Sequence, residues 1–256
     1  ESDELSEERK IVSLFETEKD TKELLNSIGI NIPSERIRNT TLLLDPKEIE
    51  LLIKKVPYLI AMEVEDLSKI PPEVIYKEKQ LVTEKINKPN GEPVVGVIDT
   101  PFNTGVYFSE WVDSYNYVEG IVNSDDLNHG TGVCSIIVDG PRLNPFIDDG
   151  CGHFRVRHFG ISPSGKYSSF TIMTQIEEIV KDNPDIKVWN FSLGSDKEIE
   201  QNFISPEGSI LDEIQFKYDV IFVVAGTNIP KGITKTNYKI GSPADSINSL
   251  VVNPVD

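Results

Sequence analysis

From Pro93 onward the chain alternates short apolar runs with longer helical patterns, and that alternation restricts its fold more than any other feature. Val94 to Ile98, Phe154 to Phe159, Lys187 to Phe191, Val220 to Ala225 and Leu250 to Val252 are strand-length runs bearing Val, Ile, Leu and Phe. Helical patterns lie between them, after His129, over Ser168 to Lys181 and over Ser209 to Tyr218. Strand, helix, strand in repetition predicts an α/β fold: a parallel sheet with crossover helices on both faces. Right-handed crossovers carry every strand in one direction, so the carboxyl ends of all strands meet at one rim, where open α/β sheets place their ligands. Asp99, the loop after Phe159, the turn Ser192 to Ser195 and the turn Gly226 to Asn228 are expected to share that rim.

Two side chains at this rim have matching chemistry. The run Val94 to Ile98 ends abruptly at Asp99, a carboxylate at the carboxyl end of a buried strand. Leu127 to Val138, LNHGTGVCSIIV, sets His129 at the mouth of a helix, with Gly130 and Gly132 clearing space beside it and an apolar run behind to bury one helix face. Asp99 and His129 are candidates for an orienting carboxylate and a general base. His153 and His158 read as structural, because no partners stand at metal-ligand spacing.

The N-terminal third has a different pattern. Ile11 to Phe15 reads as a strand, and Thr17 with Asp20 opens a helix carrying Leu24, Leu25 and Ile28, which Gly29 ends. Thr40 to Leu44 is a second strand. Asp45, Pro46 and Glu48 then supply N-cap, N1 and N3 chemistry for a helix with Ile49, Leu52, Ile53 and Val56 on one face, stopped by Pro57, and Leu59 to Val64 reads as a further strand. With an extra strand around Arg36 to Leu44, this order predicts a small ferredoxin-like α+β unit over residues 1–68. Paired prolines, alternating lysines and glutamates, and the tetrapeptide KPNG mark 69–92 as a linker, leaving 93–256 as the larger α/β unit.

Composition removes several classes of function. The 256 residues carry 42 acidic and 25 basic side chains, a formal charge of -17, so the mean field repels phosphate backbones and nucleic acid is not an expected partner. Cys134 and Cys151 cannot make a disulfide framework, and no CxxC pair suggests structural zinc. Asp125, Asp126, Asp148 and Asp149 read as solvated loop acids, so no metal or cofactor is expected. No apolar run is long enough to span a bilayer, and ESDELSEERK is not a secretion signal, which favours the cytoplasm. The chain does not start with methionine, however, so this sequence leaves its native start open.

Several segments together resemble the subtilisin-like serine proteases, or subtilases. VVGVIDT at Val94 to Thr100 is similar to the family's aspartate motif, and HGTGV at His129 to Val133 to its histidine motif. SGKYS at Ser164 to Ser168 and SLG at Ser192 to Gly194 resemble the two segments lining its substrate cleft. AGTN at Ala225 to Asn228 stands where the family carries its oxyanion asparagine, and SPADSINSLVV at Ser242 to Val252 resembles the segment that follows. The order aspartate, histidine, serine is the subtilisin one.

The resemblance implies a serine endopeptidase acting on a protein or peptide. In it Asp99 orients His129, Asn228 offers its amide to the oxyanion, and Ser164, Gly165, Ser192, Leu193 and Gly194 bind the extended substrate. It also implies that the N-terminal unit is propeptide-like, because Leu42 to Asp66 is similar to the family's propeptide, and that this unit packs on the catalytic one.

The nucleophile is expected after Asn228 in a GTSxA-like motif, and no such motif follows. The chain is therefore expected to be cut before its serine and to be inactive alone. Pro101 and Thr227 stand where the family has glycine, and a β-branched residue resists the backbone angles glycine permits.

Two other readings fit less well. Gly160 to Lys166, GISPSGK, matches a phosphate-binding loop, but Tyr167 takes the position of the Mg²⁺-binding hydroxyl and Pro163 removes a backbone donor. A non-catalytic protein-binding module with a protease-like fold is the alternative to an enzyme.

Overall fold

The computed structural model describes residues 9–15, 17, 19–56, 86–118, 122–143, 150–161, 169–194, 199–200, 202–226 and 240–253. In chain order the elements are β1 (Lys10–Ser13), α1 (Thr21–Ser27), β2 (Ile37–Arg38), β3 (Thr41–Leu44), α2 (Pro46–Lys55), β4 (Val94–Asp99), β5 (Val112–Asn116), α3 (Asn128–Leu143), β6 (Arg155–Gly160), α4 (Ser169–Asp182), β7 (Val188–Phe191), α5 (Pro206–Tyr218), β8 (Ile221–Ala225) and β9 (Leu250–Val252).

Six strands form one sheet in the order β5-β6-β4-β7-β8-β9, and every pairing is parallel. The fold is α/β, as the alternating pattern predicts. Strand β4 lies inside the sheet, and successive side chains leave opposite faces. Ile98 joins a core with Phe159, Trp189, Phe191 and Phe222 beneath α4 and α5. Val97 joins Val156, Cys134 and Val138 beneath α3. Both faces are covered, which explains why β4 reads as a continuous apolar run. Its one interruption, Gly96, is required by packing, since a Cβ there would stand 2.3 Å from the Trp189 ring.

The N-terminal segment forms an antiparallel sheet in the order β1-β3-β2. One face packs Val12, Leu42 and Leu44 against Leu24, Leu25 and Leu52 of the two helices. Arg36 ties the unit together, donating to the Leu43 carbonyl at 2.7 Å and pairing with Glu48. The expected fourth strand, Leu59 to Val64, lies outside the described residues, as do Pro57 and most of the 69–92 segment.

The other face of the small sheet lies against α4. Ile11 and Leu43 bury themselves with Phe170. Arg38 donates to the Met173 carbonyl at 3.1 Å and its guanidinium stands 2.6 Å from Glu177, while Asn39 donates to Glu213 at 2.6 Å.

Three local expectations need correction. Strand β5 was not expected: its sequence VDSYN is polar and four of its five residues are exposed, so it carries no apolar signature. Helix α1 begins at Thr21, one turn after Thr17, because the Asp20 carboxylate caps it by accepting from the Lys22 and Glu23 amides. Strand β6 runs over Arg155–Gly160, one residue later at each end than the expected Phe154 to Phe159.

Candidate active site

Asp99 is the last residue of β4 and is fully buried. His129 lies in the first turn of α3, its side chain only 18 % exposed. The parallel sheet and the crossover from β4 bring them together, with His129 Nδ1 standing 2.6 Å from Asp99 Oδ1. The same oxygen accepts the Thr100 amide at 2.6 Å. An ionised carboxylate only accepts, so this contact assigns the proton to Nδ1 and makes Nε2 the acceptor nitrogen of the ring. That is the arrangement a general base requires.

The surrounding residues hold the pair in place. Gly130 N–H donates to Thr100 Oγ1 at 2.9 Å, and a Cβ at Gly130 would stand 2.1 Å from the Thr100 carbonyl oxygen. Only glycine lets the helix start come this close to the end of β4. Thr131 Oγ1 donates to the Leu127 carbonyl and accepts the Asn103 amide at 2.9 Å, anchoring the loop that leaves β4. Below the pair lie two further titratable groups. Burial, reinforced by the Asp99 charge, pushes the Cys134 thiol up, so it stays protonated and is no nucleophile. Burial holds the His158 ring below its ordinary value and therefore neutral.

The register Ile98 to Phe191 sets Ser192, Leu193 and Gly194 beside the end of β4. Asn190 Nδ2 donates to Ser192 Oγ at 2.7 Å. Strand β8 ends beside them at Ala225, and the next residue, Gly226, is packed so tightly that a Cβ would meet the Asn253 side chain at 2.4 Å. Asn228, Ser164 and Gly165, and with them most of the loop from Gly160 to Lys166, lie outside the described residues. His158, read from the sequence as structural, is held in buried hydrogen bonds, while Thr100 was missed because an ordinary threonine after an aspartate carries no signal of its own.

At the opposite, amino-terminal end of the strands an open cleft of about 530 Å³ is lined by Ile86, Trp111, Asp139, Arg142 and His153 among others. Asp139 is buried there and accepts from Tyr107 at 2.6 Å; burial and that carboxylate push the Tyr107 hydroxyl up to about 12. His153 Nδ1 donates to the Val138 carbonyl at 2.6 Å, a structural contact. Among the described residues no group of three or more His, Cys, Asp or Glu is arranged to hold a metal, and no helix is long and apolar enough to cross a membrane.

The subtilase family model matches residues 90–256, which contain both Asp99 and His129. The chain belongs to the subtilase family. No curated protein matches this subtilase. Among solved structures it is similar to the prenylagaramide maturation protease PagA, at 16% identity and a TM-score of 0.42 over 64% of this chain and 54% of the other. It is also similar to the patellamide maturation protease PatA, at 16% identity and 0.40 over 64% and 57%. A Pseudomonas sedolisin, a serine-carboxyl proteinase, gives 19% identity and 0.38 over 63% and 49%. This subtilase thus spans about half the length of the proteases it resembles.

Proposed function

We propose that this subtilase is the Asp-His portion of a serine endopeptidase that hydrolyses peptide bonds in proteins or peptides. The observation that supports the reading is the 2.6 Å contact between the buried Asp99 carboxylate and His129 Nδ1 at the carboxyl rim of the sheet. In the proposed reaction a serine supplied from beyond Asp256 attacks the scissile carbonyl carbon while His129 Nε2 takes its hydroxyl proton. Asp99 holds the imidazole in one tautomer and stabilises the imidazolium. The Asn228 amide donates to the oxyanion. As the intermediate collapses, the proton on Nε2 passes to the leaving amine, and water then releases the acyl group by the reverse proton path. Ser164, Gly165, Ser192, Leu193 and Gly194 flank an extended substrate through backbone hydrogen bonds. No cofactor enters this scheme.

The proposed units are residues 1–68, a linker over 69–92, and the catalytic portion from 93. The first acts as a propeptide-like occluder of the cleft. Its sheet rests on Phe170 in the first turn of α4, and a crossover helix starts at the rim of the sheet, which supports that role.

The test is labelling with a fluorophosphonate, which reacts only with an activated serine. The 256-residue chain is expected to remain unlabelled, and a chain extended through its natural coding sequence is expected to label and to lose labelling with His129→Ala. An extended chain that labels equally well with His129→Ala, or that does not label at all, overturns the reading.

A further inference from the structure

We infer that His158 is a positioning residue for the Asp99 and His129 pair, acting through Thr100; the inference rests on reading that pair as orienter and base. His158 is fully buried on β6, with Val97 of β4 on one side and Ser114 of β5 on the other. Its two ring nitrogens have different tasks. Nε2 donates to the Thr100 carbonyl at 2.9 Å, and Ser114 Oγ lies 3.3 Å from Nδ1. A carbonyl only accepts, so Nε2 carries the hydrogen and the Ser114 hydroxyl donates to Nδ1. The Phe102 ring, centred 5.7 Å away, closes a further side.

Thr100 is the hub on which the pair depends. Its amide donates to the Asp99 oxygen that receives His129, and its hydroxyl accepts the amide of Gly130, the residue after that histidine. Its carbonyl is the remaining polar group, and His158 holds it. The next residue, Pro101, has no N–H, so the backbone at that position offers the turn out of β4 no donor. A side chain from β6 provides that anchor instead. Fixing the carbonyl holds the Thr100–Pro101 peptide plane and so restrains Thr100 ψ, which limits how far the residue can turn away from its amide bond to Asp99 and its hydroxyl bond to Gly130. A chain of hydrogen bonds therefore runs from Ser114 through His158 and Thr100 to both members of the pair.

The experiment is ¹⁵N NMR of the His129 ring in the 256-residue chain, which needs no nucleophile. The wild type is expected to hold His129 as the Nδ1–H tautomer with a slowly exchanging proton. In His158→Leu, the Nε2–H tautomer of His129 becomes populated and exchange of its Nδ1 proton rises by about tenfold, as loss of one buried hydrogen bond implies. His158→Gln, whose amide can still donate to the Thr100 carbonyl, restores the wild-type pattern. A folded leucine variant with wild-type tautomer and exchange overturns the inference. Should leucine prevent folding, Ser114→Ala decides by the same signals, because it frees His158 Nδ1; unchanged His129 signals overturn the inference there too. Failure of the pair itself is distinguishable, since Asp99→Asn would then leave the His129 spectrum unchanged whatever stands at 158.

Discussion

A methyl group at Gly130 would lie 2.1 Å from the Thr100 carbonyl oxygen, so Gly130→Ala cannot be absorbed by a side-chain rotation. Either α3 lifts away from β4 or the Thr100 peptide turns, and both lengthen the contact between Asp99 and His129. Overpacking of this kind costs roughly 1–3 kcal/mol. Chemical denaturation of Gly130→Ala should show a loss of that size together with a weakened His129 Nδ1 proton signal; wild-type stability would show that the helix start has room. At this scale the sequence made the candidate pair legible. An aspartate ending an apolar run and a histidine followed by small residues are both visible without coordinates. The support around them was not visible. Thr100, Thr131 and His158 act through contacts across the fold, and their hydrogen bonds follow from strand order, which local pattern does not contain.

Elements were legible where their signals are local. Helix α2 is the clearest case. The Asp45 carboxylate accepts from the Lys47 and Glu48 amides at 2.9 Å each, and the Glu48 carboxylate accepts the Asp45 amide at 2.8 Å. Both halves of a capping box, with Pro46 at the first position, can be read from four residues. Asp45→Ala should therefore destabilise the N-terminal unit by about 1 kcal/mol, measured as a shift in its urea midpoint; no shift would mean that packing alone holds the helix. Strand β5 shows the opposite situation. Val112 to Asn116 forms a strand because β6 offers it a free edge, and an edge strand with solvated side chains needs no apolar alternation. Its existence is a property of the sheet, not of its own residues.

For the molecule as a whole, the question is what holds the small antiparallel sheet on α4 and α5. The buried trio of Ile11, Leu43 and Phe170 supplies the apolar part of the attraction, at no more than roughly 1.5–3 kcal/mol for each side chain. The ion pairs fix orientation and make the contact pH-dependent. Glu177 is central to them: it accepts from Lys217 at 2.9 Å and from Tyr218 at 3.1 Å, and faces Arg38 at 2.6 Å. Burial alone would raise its carboxyl, but the hydrogen bond from Lys217, the Arg38 charge and the Tyr218 hydroxyl outweigh burial and hold it below its ordinary value of 4.5. A carboxyl lowered in the folded state binds a proton less readily than in the unfolded chain. Its stabilising contribution is thus complete above 4.5 and is lost as pH falls through the lowered folded value. Protonation also leaves the Arg38 guanidinium, whose side chain is 9% exposed, beside a neutral acid. Glu177→Gln removes this titration. Melting curves of the two proteins should differ most at neutral pH, with the wild type more stable, and should converge as the solution is acidified below 4.5. A gap that stays constant across that range would show that Glu177 contributes shape rather than charge, and would leave the apolar trio alone to explain the docking.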